Sequence, residues 1–126
     1  MENSAFKSKI EFEKYLEDNF NYHTVSKMNF DDYRIFVIEL FSRLYELKKN
    51  GLEKEHIYDF VNKYYSNVME NADDSDIMFE RRFSAVIEEL SEFCSSPFFW
   101  DSDLDVYFKK WDKLFQIDWF KNINLG

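Results

Sequence analysis

Glycine and proline are nearly absent from this chain, which has 2 Gly and 1 Pro among 126 residues. Tight turns between antiparallel strands usually need glycine, because their central residues adopt positive φ angles. The scarcity of glycine therefore favours helices joined by short polar links, and it argues against a glycine-rich phosphate-binding loop. The length predicts one domain, residues 1–126, that is large enough to bury a hydrophobic core.

Apolar side chains recur with a period of 3.6 residues in five segments, which predicts five helices. The predicted fold class is all-α, a compact bundle of about five helices with short connections. Residues 21–30 show no such period and are predicted to form a loop. The predicted helices span about residues 9–20, 32–50, 53–69, 75–94 and 102–116.

Several residues mark where these helices should begin and end. Ser8 and Glu11 form the pattern of a capping box before the first helix. Gly51 lies where a glycine commonly follows the end of a helix, and Pro97 excludes a longer fourth helix. The most regular apolar stripe belongs to the second helix and consists of Tyr33, Phe36, Val37, Leu40, Phe41, Leu44 and Leu47.

The negative charge is concentrated in one stretch of the sequence. The net charge is −9, from 25 Asp and Glu against 16 Lys and Arg. Residues 70–105 contain 11 acids against two bases, Arg81 and Arg82, so this stretch alone has a net charge of −9. Residues 1–51 hold 9 acids and 8 bases. A surface built from the acidic stretch repels nucleic acid and attracts basic protein partners.

The sequence gives no indication of a membrane segment or of export. No apolar run approaches the roughly 18 residues of a membrane span. The first twenty residues carry acids where the apolar core of a signal peptide would lie. Cys94 is the only cysteine, so a disulfide framework is excluded, as is typical of a reducing compartment. We therefore expect a cytoplasmic protein.

The carboxylates of the acidic stretch form three groups, each of which has an ordinary interpretation. Acids at the start of a helix are stabilised by capping and by the helix dipole, and acids along a helix commonly form a solvated face. Taken together, the three groups predict a surface that binds a partner. They are Glu88, Glu89 and Glu92 on the fourth predicted helix, with Glu89 on its flank, Asp101, Asp103 and Asp105 before the fifth, and Asp73, Asp74 and Asp76 before the fourth.

Metal sites are poorly supported by the residue spacing. The D-x-D-x-D pattern at 101–105 opens like a calcium loop, but Val106 lies where that loop needs glycine. The three glutamates at 88–92 resemble half of the magnesium site of helical nucleotide pyrophosphatases, which needs a facing E-x-x-D motif. Glu53 and His56 resemble half of a di-iron motif, which needs a second copy. We expect neither a metal nor another cofactor.

Aromatic side chains follow the fourth helix and recur near the C-terminus. Phe98, Phe99 and Trp100 have two interpretations. They fold back as a lid on the end of the bundle, or part of the trio stays exposed as an anchor for a partner, a role in which Trp is common. The final residues either dock through Trp119 and Phe120 or fray.

Residues 52–115 resemble the colicin D-type immunity proteins, a bacteriocin self-protection family. The similarity lies in FVNKYY at 60–65, MFERRFSAVIEELSEF at 78–93, the break SSPFFW and DSDLDVYFKKWDKLF at 101–115; residues 9–50 have no counterpart. The family consists of small acidic helical proteins that occupy the active-site cleft of a tRNA-cleaving toxin, with carboxylates in place of RNA phosphates. The resemblance implies that Glu88, Glu89, Glu92, Asp101, Asp103 and Asp105 contact the toxin and that Trp100 anchors it.

The residues and the resemblance together predict an immunity protein without catalytic activity. Its expected partner is a basic nuclease toxin domain, most simply a tRNase, and we expect no direct contact with nucleic acid or membrane. Two alternatives stay open at this point. One is a small helical metal-dependent nucleotide hydrolase, and the other is an acidic adaptor subunit that binds a different basic protein.

Overall fold

The fold is taken from a computed structural model, and residues 6–91 and 97–121 are described below. These residues form α-helices and two short 3₁₀ helices, with no β-strand among them. The predicted all-α class is therefore confirmed. No helix in the described ranges is both long and apolar enough to span a membrane. The helices are α1 (Lys9–Asn19), α2 (Tyr22–Ser26), α3 (Phe30–Lys49), α4 (Lys54–Asn71), α5 (Ile77–Ser91) and α6 (Leu104–Gln116), with 3₁₀ helices at Phe99–Asp101 and Asp118–Phe120.

Helix α2 corrects the sequence prediction, because it lies in the segment predicted to be a loop. Asn21 and Thr24 cap it reciprocally: the Asn21 side chain accepts from the Thr24 amide at 2.9 Å, and the Thr24 hydroxyl accepts from the Asn21 amide at 3.0 Å. Only Val25 of this five-residue helix is buried. A helix this short cannot produce a periodic apolar pattern, so hydrophobic periodicity missed it.

The ends of the longer helices follow local capping chemistry. Ser8 accepts from the Glu11 amide at 3.2 Å, but the Glu11 carboxylate binds the Lys7 amide instead of returning to Ser8, so the predicted capping box is only half formed. Gly51 has a φ of 109° after the end of α3. Its amide and that of Leu52 donate to carbonyls of the last turn, at 3.1 and 2.9 Å, which is the Schellman arrangement that favours glycine.

The core is built from aromatic rings contributed by almost every helix. All seven predicted stripe residues of α3 are buried. Phe20, the residue after α1, stacks on Phe36 of α3 and on Phe83 of α5, with ring centroids 4.9 and 4.8 Å apart. Helix α5 packs against α2, α4 and the C-terminal 3₁₀ helix, while α6 packs against α3. Helix α5 is therefore central, and Glu80 and Glu88 lie on its exposed face.

The C-terminal segment docks on the bundle through Phe120, which is buried, while Trp119 stays half exposed. Arg82 fastens this segment: its guanidinium donates to the Phe120 carbonyl at 2.6 and 3.0 Å and to the Met28 carbonyl at 2.8 Å. The predicted continuation of α5 through Cys94 lies outside the described residues.

Candidate protein-binding surface

The segment 97–105, called the acidic loop below, includes the first two residues of α6 and is held by a lysine from α3. The Lys48 ammonium donates to the carbonyl oxygens of Phe99 at 2.6 Å and of Ser102 at 2.7 Å. Partial burial lowers the pKa of Lys48, and the nearby carboxylates of Asp101 and Asp103 act in the opposite direction. The aspartates therefore stabilise the cation that fixes the loop backbone.

The three aromatic residues of the acidic loop differ in their burial. Phe99 is fully buried and its ring centroid lies 5.1 Å from that of Phe41. Trp100 is half-buried, and its indole N–H donates to the Leu90 carbonyl at 3.3 Å near the end of α5. Phe98 is 37% exposed. The lid interpretation thus describes Phe99, whereas Trp100, the predicted anchor, offers only part of its ring to a partner.

Asp101, Asp103 and Asp105 are all exposed. Asp103 is the N-cap residue of α6 but its side chain makes no capping hydrogen bond, and Asp105 lies in the first turn. Both carboxylates are exposed and lie where the helix dipole favours negative charge. The helix begins at Leu104, so the chain does not follow the twelve-residue calcium loop that the D-x-D-x-D pattern suggested.

Glu89 is not on the surface, so its predicted place in the partner-binding surface is wrong. Its carboxylate lies 2.6 Å from the Lys110 ammonium of α6 and accepts from the Tyr107 hydroxyl at 2.9 Å, and its side chain is only 6% exposed. Glu88, the residue before Glu89, is exposed, and its pKa is raised by partial burial and by the charge of Glu89. Glu92 lies outside the described residues.

Asp73 and Asp76, two of the three aspartates before α5, accept local hydrogen bonds. The Asp76 side chain accepts from the Phe79 amide at 3.0 Å and from the Tyr22 hydroxyl at 3.3 Å. Asp73 accepts from the amide and hydroxyl of Ser75, and these hydrogen bonds lower its pKa. Asp74 is exposed. The local structure explains Asp73 and Asp76 without a partner.

The predicted acidic surface is divided into two parts. Asp73–Asp76 precede the first residue of α5, whereas Trp100 contacts Leu90 close to its last residue. A helix of 15 residues is about 22 Å long. The acidic loop therefore lies at one end of α5 and the aspartates of the α4–α5 link lie at the other, so one compact partner site does not include both.

The acids within the described ranges are not arranged as a metal centre. Among residues 6–91 and 97–121, no three His, Cys, Asp or Glu side chains are grouped so that they could hold a metal ion. An E-x-x-D motif does occur at Glu70–Asp73, but it ends α4, near the start of α5 and far from Glu88. His56 accepts from the Glu53 amide through Nδ1 at 2.9 Å and thereby caps α4.

Sequence reasoning missed the three cations that organise this region, Lys48, Arg82 and Lys110. Each contacts a partner on a distant segment of the chain, so no local residue spacing predicts these contacts. A partial signal existed for Arg82, because a second arginine beside Arg81 interrupts an otherwise acidic helix.

The chain matches no protein-family model, no curated protein and no solved structure. Its function is therefore inferred from the surface described above.

Proposed function

We propose that this protein is an immunity protein that binds and inhibits a basic nuclease toxin, with a tRNase as the expected class, and that it acts without catalysis. The observation that carries the proposal is the acidic loop, which presents Asp101, Asp103 and Asp105 to solvent on a backbone fixed by Lys48. Glu88 adds an exposed carboxylate from α5, and Asp74 lies outside this site.

The physical basis is charge complementarity with a cleft made to hold RNA. A nuclease active site is basic because it binds phosphates, and a matching array of carboxylates steers association and excludes the substrate. A loop that is already ordered loses less conformational entropy on binding than a flexible one. Phe98 and part of Trp100 supply apolar area beside the carboxylates, as is common in the centres of tight interfaces.

The distribution of ion pairs supports the same face. In the first half of the chain, ion pairs form along single helices, for example Lys14 with Asp18 in α1 and Lys49 with Glu46 in α3. In the described part of the acidic stretch, Glu89 pairs with Lys110, a pair directed into the protein. Asp101, Asp103 and Asp105 are exposed, and Lys48, the cation near Asp101 and Asp103, donates to the loop backbone, so these carboxylates can meet cations of a partner.

The test needs a cognate nuclease domain, which we would seek as the basic C-terminal domain of a secreted protein encoded beside this chain. The variant is D101N/D103N/D105N, and the matched control is E17Q/D59N/E70Q, which removes the same charge from exposed positions of α1 and α4. We expect the loop variant to lower the association rate about tenfold or more at low salt and to weaken inhibition of RNA cleavage, because steering depends on these charges. Equal rates for the two variants would exclude the acidic loop as the binding site.

The two alternatives are distinguished by simple measurements. A nucleotide hydrolase built on Glu88, Glu89 and Glu92 needs Glu89 free to bind metal, whereas here it contacts Lys110 and Tyr107. A rise of several degrees in melting temperature with Mg²⁺ or Mn²⁺ would favour that enzyme. An adaptor subunit would use the same loop but would bind a basic protein without nuclease activity.

A further inference from the structure

A second surface feature lies away from the acidic loop, in a groove between α4, α5 and the C-terminal 3₁₀ helix. The groove has a volume of about 520 Å³. Ser84 and Ala85, two small residues of α5, form part of its lining, with Tyr65 of α4 on one side. Small side chains allow the backbone of a bound helix to approach closely, so the shape suits a helical segment.

Two large apolar side chains line this groove and remain accessible. Trp119 is 51% exposed and Ile77 is 43% exposed. The Arg81 guanidinium lies over the Trp119 ring, 4.0 Å from its centroid, and donates to the Trp119 carbonyl at 3.2 Å. These contacts hold the indole in place, so it does not need to be ordered when a partner binds. A fixed, half-exposed indole is a common binding hot spot.

Two carboxylates and one guanidinium, that of Arg81, also line the groove. Glu80 and Glu88 are eight residues apart on α5, which corresponds to about 12 Å along the helix axis. Both are exposed.

We propose that this groove binds a basic amphipathic helix of a partner protein, with apolar side chains against Trp119 and Ile77 and with two Lys or Arg side chains about eight residues apart paired to Glu80 and Glu88. The charge of the groove favours this occupant, because two exposed carboxylates line it against the single guanidinium of Arg81, which lies over Trp119. Glu88 belongs to both proposed surfaces, whereas Ile77, Glu80 and Trp119 belong to the groove alone. The inference therefore does not depend on the acidic loop or on the identity of the toxin.

The probe is a synthetic 16-residue helical peptide with leucines on one face and lysines eight residues apart, titrated into the full chain. Trp111 is buried and Trp100 is half-buried, so a change in tryptophan emission reports mainly on Trp119, and the variant W119F identifies its share. We expect a saturable blue shift for the basic peptide and none for a version with glutamates in place of lysines.

The charge dependence is tested with E80Q/E88Q against E55Q/E70Q, which removes two exposed charges from α4. We expect about tenfold weaker peptide binding for the first variant and unchanged binding for the second, with similar melting temperatures for both. Equal affinities, or no saturable binding, would overturn the proposal. The proposal would also be overturned if Trp119 emitted as a buried indole before any peptide is added. If that emission did not change on dilution, the chain would cover its own groove. If it occurred only at high protein concentration, a second copy of the chain would cover the groove.

Discussion

The ion pair between Glu89 and Lys110 gives the sharpest test of whether Glu89 stabilises the fold rather than serving as a surface acid. The carboxylate and the ammonium are 2.6 Å apart, and their side chains are 6% and 10% exposed. The second carboxylate oxygen accepts from Tyr107, whose hydroxyl in turn accepts from the Trp111 indole at 2.9 Å. We predict that Glu89→Leu strongly destabilises the fold, because the ammonium loses its carboxylate and the Tyr107 hydroxyl loses its acceptor.

The expected loss follows from the burial of the pair. Removing one partner of a buried ion pair costs about 3–5 kcal/mol, because the other charge stays in a poorly solvated position. The Pro97 carbonyl, 3.4 Å from the Lys110 ammonium, offsets a small part of this loss. A chain of 126 residues has an unfolding entropy of about 0.26 kcal/mol/K at its midpoint, so the melting temperature should fall by roughly 10–20 °C.

The assay is a double-mutant cycle followed by urea and thermal unfolding, with Glu89→Leu, Lys110→Met and the pair of substitutions together. The double variant should be more stable than either single variant, because it leaves no lone buried charge. Glu88→Gln is the control one residue away and should change stability by less than about 1 kcal/mol. If Glu89→Leu costs as little as the control, or if the two single losses simply add, the pair is not a coupled buried unit and this reasoning is refuted.

Two further predictions concern neighbouring charges on α5. Arg82→Met should lower the free energy of unfolding by about 2–4 kcal/mol and speed amide exchange near Phe120, because it removes the charged donor to the Phe120 and Met28 carbonyls; a wild-type urea midpoint would contradict this. Glu88→Gln should stabilise the protein slightly at pH 7, since the raised pKa of Glu88 means that its charged form is disfavoured in the folded state. This gain should vanish below about pH 4, where the carboxyl is protonated in both states, and a gain that persists at pH 3 would show that it is not electrostatic.

The parts of the fold that follow from local pattern could be predicted from the sequence. Helix α3 is long, and the seven apolar residues of its stripe are all buried because one continuous face packs on the core. Gly51 was predictable because only a residue tolerant of positive φ suits that position. Helix α2 was not predictable from periodicity, since it buries one side chain and depends on the reciprocal cap between Asn21 and Thr24.

The candidate site was less predictable, because burial of an acid depends on what faces it. Glu88 and Glu89 are adjacent in sequence and chemically identical, and helical period alone placed Glu89 on a flank. Lys110, on a helix that begins 15 residues later, determines that Glu89 points inward and Glu88 outward. Similarly, Lys48 lies 51 residues before the Phe99 carbonyl that it binds, and no sequence spacing relates the two.

The contacts of these cations also affect which carboxylates of the acidic stretch are accessible to a partner. Residues 70–105 contain two bases, and both make contacts within the fold: Arg82 donates to two backbone carbonyls, and Arg81 lies over the Trp119 ring. At the acidic loop, Lys48 is likewise directed at backbone carbonyls rather than outward. Cations used in this way stabilise the fold while leaving carboxylate oxygens accessible at contact distance. We therefore expect association with a basic partner to slow with added salt.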